Sequence, residues 1–89
     1  GAFVTSNRES GDGRYDIQLK PTKKGLPGIL IELKAEKNCS DEKLKVLSET
    51  ALQQINDKKY ETELTAAGVK TVYKYGVAFS GKKVEVTVG

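Results

Sequence analysis

Gly28-Ile29-Leu30-Ile31-Glu32-Leu33-Lys34 is rich in β-branched and apolar residues and begins at a Pro27-Gly28 turn signal. These features predict a buried strand. Successive side chains of a strand point to opposite faces, so Glu32 and Lys34 share one face. A carboxylate and an ammonium group therefore project together from a strand that otherwise has the composition of protein core.

A second segment, Arg14 to Lys20, shows the same alternation and carries Asp16 on its polar face. If the two strands pair through the loop between Pro21 and Pro27, their apolar faces are expected to be buried together. That predicted buried set is Tyr15, Ile17, Leu19, Ile29, Ile31 and Leu33. Asp16, Glu32 and Lys34 would then meet on the opposite face.

Composition limits the class of protein. A chain of 89 residues with 37% hydrophobic and 30% charged residues suits one small globular domain. The absence of histidine excludes Ser-His triads and His-ligated zinc. Cys39 is the single cysteine, so no internal disulfide forms, and we expect a reducing, cytoplasmic location. No apolar run approaches the roughly 20 residues that span a bilayer, so no membrane association is expected.

The rest of the chain predicts further strands and one main helix. Strands are expected over Phe3–Ser10, Val69–Phe79 and Lys83–Val88, with turns at Gly11-Asp12-Gly13 and Ser80–Lys83. The predicted element order is therefore βββαββ, an α/β (α+β) domain with a helix packed on a mixed or antiparallel sheet.

The helix is predicted to begin after Ser40, a favourable N-cap, and to end near Tyr60. Its apolar residues recur at helical spacing: Leu44, Leu47, Ala51, Leu52 and Ile55. Glu61 to Ala67 continues this helix or forms a second short one. Gly68 has the place of a residue that terminates a helix.

Asp16, Glu32 and Lys34 allow two interpretations. They are the solvated side of an antiparallel sheet, or they are an active site. In the second case Asp16 and Glu32 hold Mg²⁺ or Mn²⁺, which favours oxygen ligands, and Lys34 orients water or stabilises developing negative charge. The substrate suited to this chemistry is a phosphodiester.

Several other residues are weaker candidates. Gln54 borders the apolar stripe of the helix and either reaches the site or is a surface residue. Glu9 is a candidate additional metal ligand, or a surface charge of the first hairpin. Candidate substrate-binding residues are Arg8, Arg14, Lys58 and Tyr60. Three aromatic residues alternate along one strand face and suit core packing better than base stacking: Tyr73, Tyr75 and Phe79.

The order strand–Asp–strand–Glu-x-Lys–helix–strand resembles the PD-(D/E)xK nuclease superfamily. Within it, the chain is similar to the C-terminal nuclease-like domain of bacterial proteins with an N-terminal predicted AAA-type ATPase domain. The resemblance extends along almost the whole chain and is carried by five segments: 6–16, 31–34, 51–55, Lys59-Tyr60 and 74–82.

The resemblance implies a metal-dependent nuclease-type core with a restriction-endonuclease-like fold. We expect Mg²⁺ or Mn²⁺ as the cofactor and nucleic acid as the substrate, with DNA favoured although the sequence does not distinguish it from RNA. The resemblance assigns Asp16 and Glu32 as metal ligands, Lys34 as the catalytic lysine and Gln54 as the glutamine of the following helix. The family's N-terminal core helix has no counterpart here, so the chain is expected to be a fragment of a longer protein. The uncovered sheet surface predicts a homodimer. The rival hypothesis is a non-catalytic nucleic-acid- or protein-binding module of the same fold that serves an attached ATPase domain.

Overall fold

A single mixed sheet carries the strands in the order in which they occur along the chain. A computed structural model describes residues 1–10, 14–57 and 60–89, with side chains for all of these except 8–10, 14 and 15. The strands are β1 Phe3–Ser10, β2 Arg14–Pro21, β3 Gly28–Ala35, β4 Val72–Ser80 and β5 Lys83–Val88. β3 and β4 pair in parallel and the other neighbours pair antiparallel. The predicted Gly11-Asp12-Gly13 turn lies outside the described residues.

Two helices, α1 Asp41–Asp57 and α2 Tyr60–Ala66, connect the parallel strands. A parallel pair needs such a crossover, whereas antiparallel strands are joined by short turns. The α+β class and the mixed sheet are confirmed. α2 confirms one of the two alternatives for the segment after the main helix. Neither helix within the described ranges is long and apolar enough to cross a membrane.

The start of α1 is capped as the sequence predicts. Ser40 Oγ accepts a hydrogen bond from the backbone N–H of Lys43 at 3.2 Å. Asp41 and Glu42 occupy the first turn, where the helix dipole favours negative charge. The side of α1 that faces the sheet is buried at helical spacing: Leu44, Ser48, Ala51 and Ile55. Hence the local sequence and the tertiary packing select the same helix.

α1 lies unusually close to the sheet at Gly76 of β4. A Cβ atom at Gly76 would lie 2.2 Å from the backbone oxygen of Ser48 and 2.5 Å from the backbone nitrogen of Leu52. Gly76 pairs with Glu32 in the β3–β4 register. The absence of a side chain at Gly76 therefore lets the helix backbone rest directly on the sheet beside Glu32.

The corner between α1 and α2 is fixed by a lysine from the sheet. Lys74 Nζ donates to Asn56 Oδ1 at 3.2 Å and to Glu61 Oε1 at 3.0 Å. Leu64 of α2 is buried and lies over Gly28, where an added Cβ would come within 2.8 Å of the Leu64 side chain. These contacts fix α2 over the parallel strands, and with it Tyr60 at its first position.

The helices cover the opposite sheet face from the one predicted. They pack on the face of Leu30 and Glu32, both of which are almost fully buried. The predicted buried set lies on the other face, where its described members are only half-buried: Ile17, Leu19, Ile29, Ile31 and Leu33. The reason is steric, since Gly76 and Ala78 give α1 a smooth surface on one face of β4.

The helix-free side is here called the open face. It consists of the described odd-numbered side chains of β1 to β4 together with Val84, Val86 and Val88 of β5. Tyr73 and Phe79 lie on it with 46% and 41% of their surfaces exposed. The prediction that these two aromatic residues pack in the core is therefore wrong.

Candidate active site

Two acidic residues form the centre of the candidate site. Asp16 of β2 and Glu32 of β3 are directly opposite each other in the antiparallel register. Opposite residues of such a pair project from the same face, with Cβ atoms about 5 Å apart. The face is the one that the helices cover. The predicted meeting of the two side chains is thus a consequence of strand register.

The burial of this pair separates the two interpretations of the sequence. Glu32 has 0% of its surface exposed, and Asp16 is half-buried. The interpretation as a solvated sheet face is therefore wrong for Glu32. Burying a carboxylate is energetically costly unless its surroundings compensate, and such carboxylates are concentrated at functional sites.

Lys34 lies on the same face as Glu32, two residues further along β3. The rise of a strand separates their Cα atoms by about 7 Å. Lys34 is half-buried and pairs with Ala78 of β4, whose side chain is fully buried. The Lys34 side chain therefore starts on the helix-covered face, at the next position along β3 after Glu32 on that face.

Gln54 is a half-buried residue of α1, the helix that packs on β3 and β4. Its side-chain oxygen Oε1 is buried and accepts no hydrogen bond within the described part of the chain. Buried polar atoms of this kind usually have a partner, which is often an ion, a water or a ligand. This observation favours the site interpretation of Gln54 over that of a surface residue.

Tyr60 connects α2 to the acidic pair. Its hydroxyl donates a hydrogen bond to Asp16 Oδ2 at 3.2 Å. The predicted role of Tyr60 in substrate binding stays a prediction. What the structure adds is a contact that orients the Asp16 carboxylate from a residue 44 positions away.

A cavity of about 220 Å³ opens beside Asp16, between α2 and the first two strands. Its lining consists of Ser6, Asn7, Asp16, Ile17, Gln18, Tyr60 and Glu63. Gln18 and Glu63 were not among the residues predicted from the sequence. Both had a detectable signal, since Gln18 is two strand positions from Asp16 and Glu63 is one helical turn from Tyr60.

Four of the predicted site residues are not described at side-chain level. Lys58 lies outside the described residues, and the side chains of Arg8, Glu9 and Arg14 do too. The backbone register pairs Arg8 with Asp16 and Arg14 with Lys34. Their roles stay predictions.

The chemistry of the described residues suits Mg²⁺. Three side-chain oxygens are buried in or near the helix-covered face: Asp16 Oδ1, Glu32 Oε2 and Gln54 Oε1. Among the described residues, no group of three or more His, Cys, Asp or Glu side chains is arranged to hold a metal ion. Mg²⁺ does not require one, because it is commonly held by one or two carboxylates together with waters and substrate phosphates. Asp16 and Glu32 are two carboxylates of the kind that such a site uses.

One of the three comparisons with known proteins gave a match. Neither the curated proteins nor the solved structures gave a significant match to the chain. A family model, that of the PD-(D/E)XK nuclease superfamily, matches residues 1–88. The match includes both strands of the acidic pair, the two helices and the remaining strands. The chain belongs to the PD-(D/E)XK nuclease superfamily.

Proposed function

We propose that this chain is a nuclease domain that hydrolyses phosphodiester bonds of nucleic acid with the help of Mg²⁺ or Mn²⁺. The favoured substrate is DNA rather than RNA. The observation that carries the proposal is the fully buried Glu32 directly opposite Asp16 on a helix-covered sheet. Membership of a nuclease superfamily supports the substrate class. PD-(D/E)XK nucleases generally depend on divalent metal ions, which supports the cofactor.

Each residue has a distinct task in this proposal. Asp16 and Glu32 hold the metal ion, which when bound polarises a phosphoryl oxygen and makes a water a stronger nucleophile. Lys34 orients that water and stabilises the negative charge that develops on the phosphate. Gln54, whose amide oxygen is buried, would hold a water or a phosphate oxygen beside the acidic pair. Tyr60 holds Asp16 in place through its hydroxyl.

The proposal extends to the surroundings of the domain. The chain would act in the cytoplasm, as one domain of a longer protein that also carries an AAA-type ATPase domain. The single cysteine supports the reducing compartment, and the similarity of the ordered segments supports the ATPase context. We also propose that the domain forms a homodimer, for which the open face supplies an apolar surface.

Calorimetric titration of Mn²⁺ and Mg²⁺ tests the metal site without any assumption about the substrate. The wild-type chain should bind saturably, and Asp16→Asn should weaken binding at least about tenfold, because it removes one of two anionic ligands. Asp57→Asn is the matched control, since Asp57 is exposed at the end of α1. Equal affinity of Asp16→Asn and the wild type would contradict the proposed ligand.

Removal of the Tyr60 hydroxyl should weaken the same site. We expect Tyr60→Phe to lower the Mn²⁺ affinity roughly tenfold, as is typical when a hydrogen bond to a metal ligand is lost. The free energy of unfolding should fall by only about 1 kcal/mol. Tyr73→Phe is the control, because Tyr73 lies on the open face. If both variants titrate like the wild type, Tyr60 does not position Asp16.

A further inference from the structure

We propose that the cavity beside Asp16 binds one unpaired nucleic-acid base that carries an exocyclic amino group. The inference deepens the proposed nuclease function and rests on it, because it takes nucleic acid as the substrate. The cavity has a volume of about 220 Å³. Pockets for drug-sized ligands are larger, roughly 300 to 1,000 Å³, so this one suits a single base rather than a run of nucleotides.

The cavity has a fixed position relative to the acidic pair. Gln18 follows Asp16 by two residues on β2, so it lies on the same sheet face about 7 Å further along. Ser6 of β1 is paired with Gln18 in the antiparallel register. Lys34 lies beyond Glu32 in the opposite direction, because β3 runs antiparallel to β2. A phosphate at the acidic pair would thus have the lysine on one side and the cavity on the other.

The lining of the cavity suits a base better than a second phosphate. Its described members include the carboxylates of Asp16 and Glu63 and no lysine or arginine. These negative charges would repel a phosphate. The other polar members are Ser6, Asn7 and Gln18, whose hydroxyl and amide groups both donate and accept hydrogen bonds. Side chains of this kind bind the edges of bases.

Tyr60 supplies an aromatic surface to the cavity. Its side chain packs against the buried core cluster that includes Leu30 and Leu64, and it also lines the cavity. Its hydroxyl donates to Asp16. These contacts hold the ring in place, so a base can stack on it at a small cost in conformational entropy. An unpaired base is available for such stacking, whereas a base in a duplex is stacked on its neighbours.

Glu63 would decide which base the cavity accepts. It lies one helical turn after Tyr60 in α2, and its side chain is exposed, so a base in the cavity can reach it. A carboxylate only accepts hydrogen bonds. Cytosine and adenine offer an exocyclic amino donor, whereas thymine and uracil have a carbonyl oxygen in that place. The carboxylate of Glu63 therefore favours the amino-bearing bases.

Fluorescence anisotropy with labelled oligo(dC) and oligo(dU) single strands tests the inference, in EDTA so that no metal-dependent cleavage occurs. The wild type should bind oligo(dC) about tenfold more tightly, because only cytosine donates to Glu63. Glu63→Gln should bind both strands equally well, since a carboxamide both donates and accepts. Glu49→Gln is the matched control and should keep the preference, because it removes the same charge from an exposed position of α1.

The stacking role of Tyr60 has its own variants in the same assay. Tyr60→Leu should bind both strands about tenfold more weakly, because the aromatic surface is lost. Tyr60→Phe keeps the ring and should restore most of that affinity. The absence of metal in this assay separates the ring from the effect of the hydroxyl on the metal site. Circular dichroism checks that each variant folds.

Three results would overturn the inference: equal wild-type affinity for the two strands, no binding of either strand, or a preference that survives Glu63→Gln. Cleavage of the same strands with Mg²⁺ is measured separately, which keeps the two proposals apart. A chain that prefers oligo(dC) but cleaves neither strand would contradict the nuclease proposal and support the base-binding cavity. Cleavage without any preference in binding would do the reverse.

Discussion

Replacing Lys34 by alanine is expected to lower the rate of nucleic-acid cleavage by about 10³-fold or more, with binding of nucleic acid largely retained. Lys34 shares the helix-covered face with Glu32 and is the one lysine of β3. Its ammonium group would act on charge that develops only in the transition state, so kcat should fall and KM should change little.

The measurement is single-turnover cleavage of a labelled DNA with Mg²⁺, together with a binding curve for the same DNA. Lys70→Ala is the control, because Lys70 is exposed in the connection before β4. A variant that cleaves at the wild-type rate would remove Lys34 from the mechanism. A wild-type chain that binds DNA in a salt-dependent manner but never cleaves it would favour the non-catalytic binding module.

Gly76→Ala should destabilise the fold by about 3 kcal/mol, a large part of the stability of a small domain. The new methyl group would overlap backbone atoms of Ser48 and Leu52, and a helix backbone yields less readily than a flexible side chain. Because Gly76 pairs with Glu32, the displaced helix would also uncover Glu32. Urea unfolding measures the first effect and Mn²⁺ affinity the second.

Gly81→Ala separates steric overlap from backbone preference. Gly81 has a φ of 60° in the β4–β5 turn, and an added Cβ meets nothing within 4 Å. The cost there should be only about 1 kcal/mol, which reflects the left-handed conformation alone. Equal losses of stability in the two variants would mean that α1 moves away from the sheet at little cost.

The sequence predicted most of the secondary structure because the local signals are strong. Alternating side chains defined β2 and β3, Ser40 marked the start of α1, and Gly68, at a φ of 93°, follows α2 as a terminating residue. Once β2 and β3 pair, strand alternation alone brings Asp16 and Glu32 to one face. That part of the candidate site needs no long-range information beyond the pairing itself.

The covered face of the sheet was not predictable in the same way. An apolar strand face looks like core whether a helix or a second protein covers it, and both faces of β3 carry apolar residues. The choice depends on Gly76 and Ala78, which lie about 40 residues or more from β3 and admit α1 on their side. The contact of Tyr60 with Asp16 was also not predictable from local sequence. It depends on the position of α2 relative to α1, which Lys74 fixes through Asn56 and Glu61.

The two acidic residues belong to parts of the sheet with different support. α1 packs on β3, β4 and β5, whereas β1 packs mainly on β2. The first hairpin is thus expected to open locally at a lower free energy than the helix-covered strands. An ion held by Asp16 and Glu32 together would bridge these two units and hold them closed. Its binding energy would then contribute directly to the stability of the hairpin, so loading the site and completing the sheet would be a single thermodynamic event.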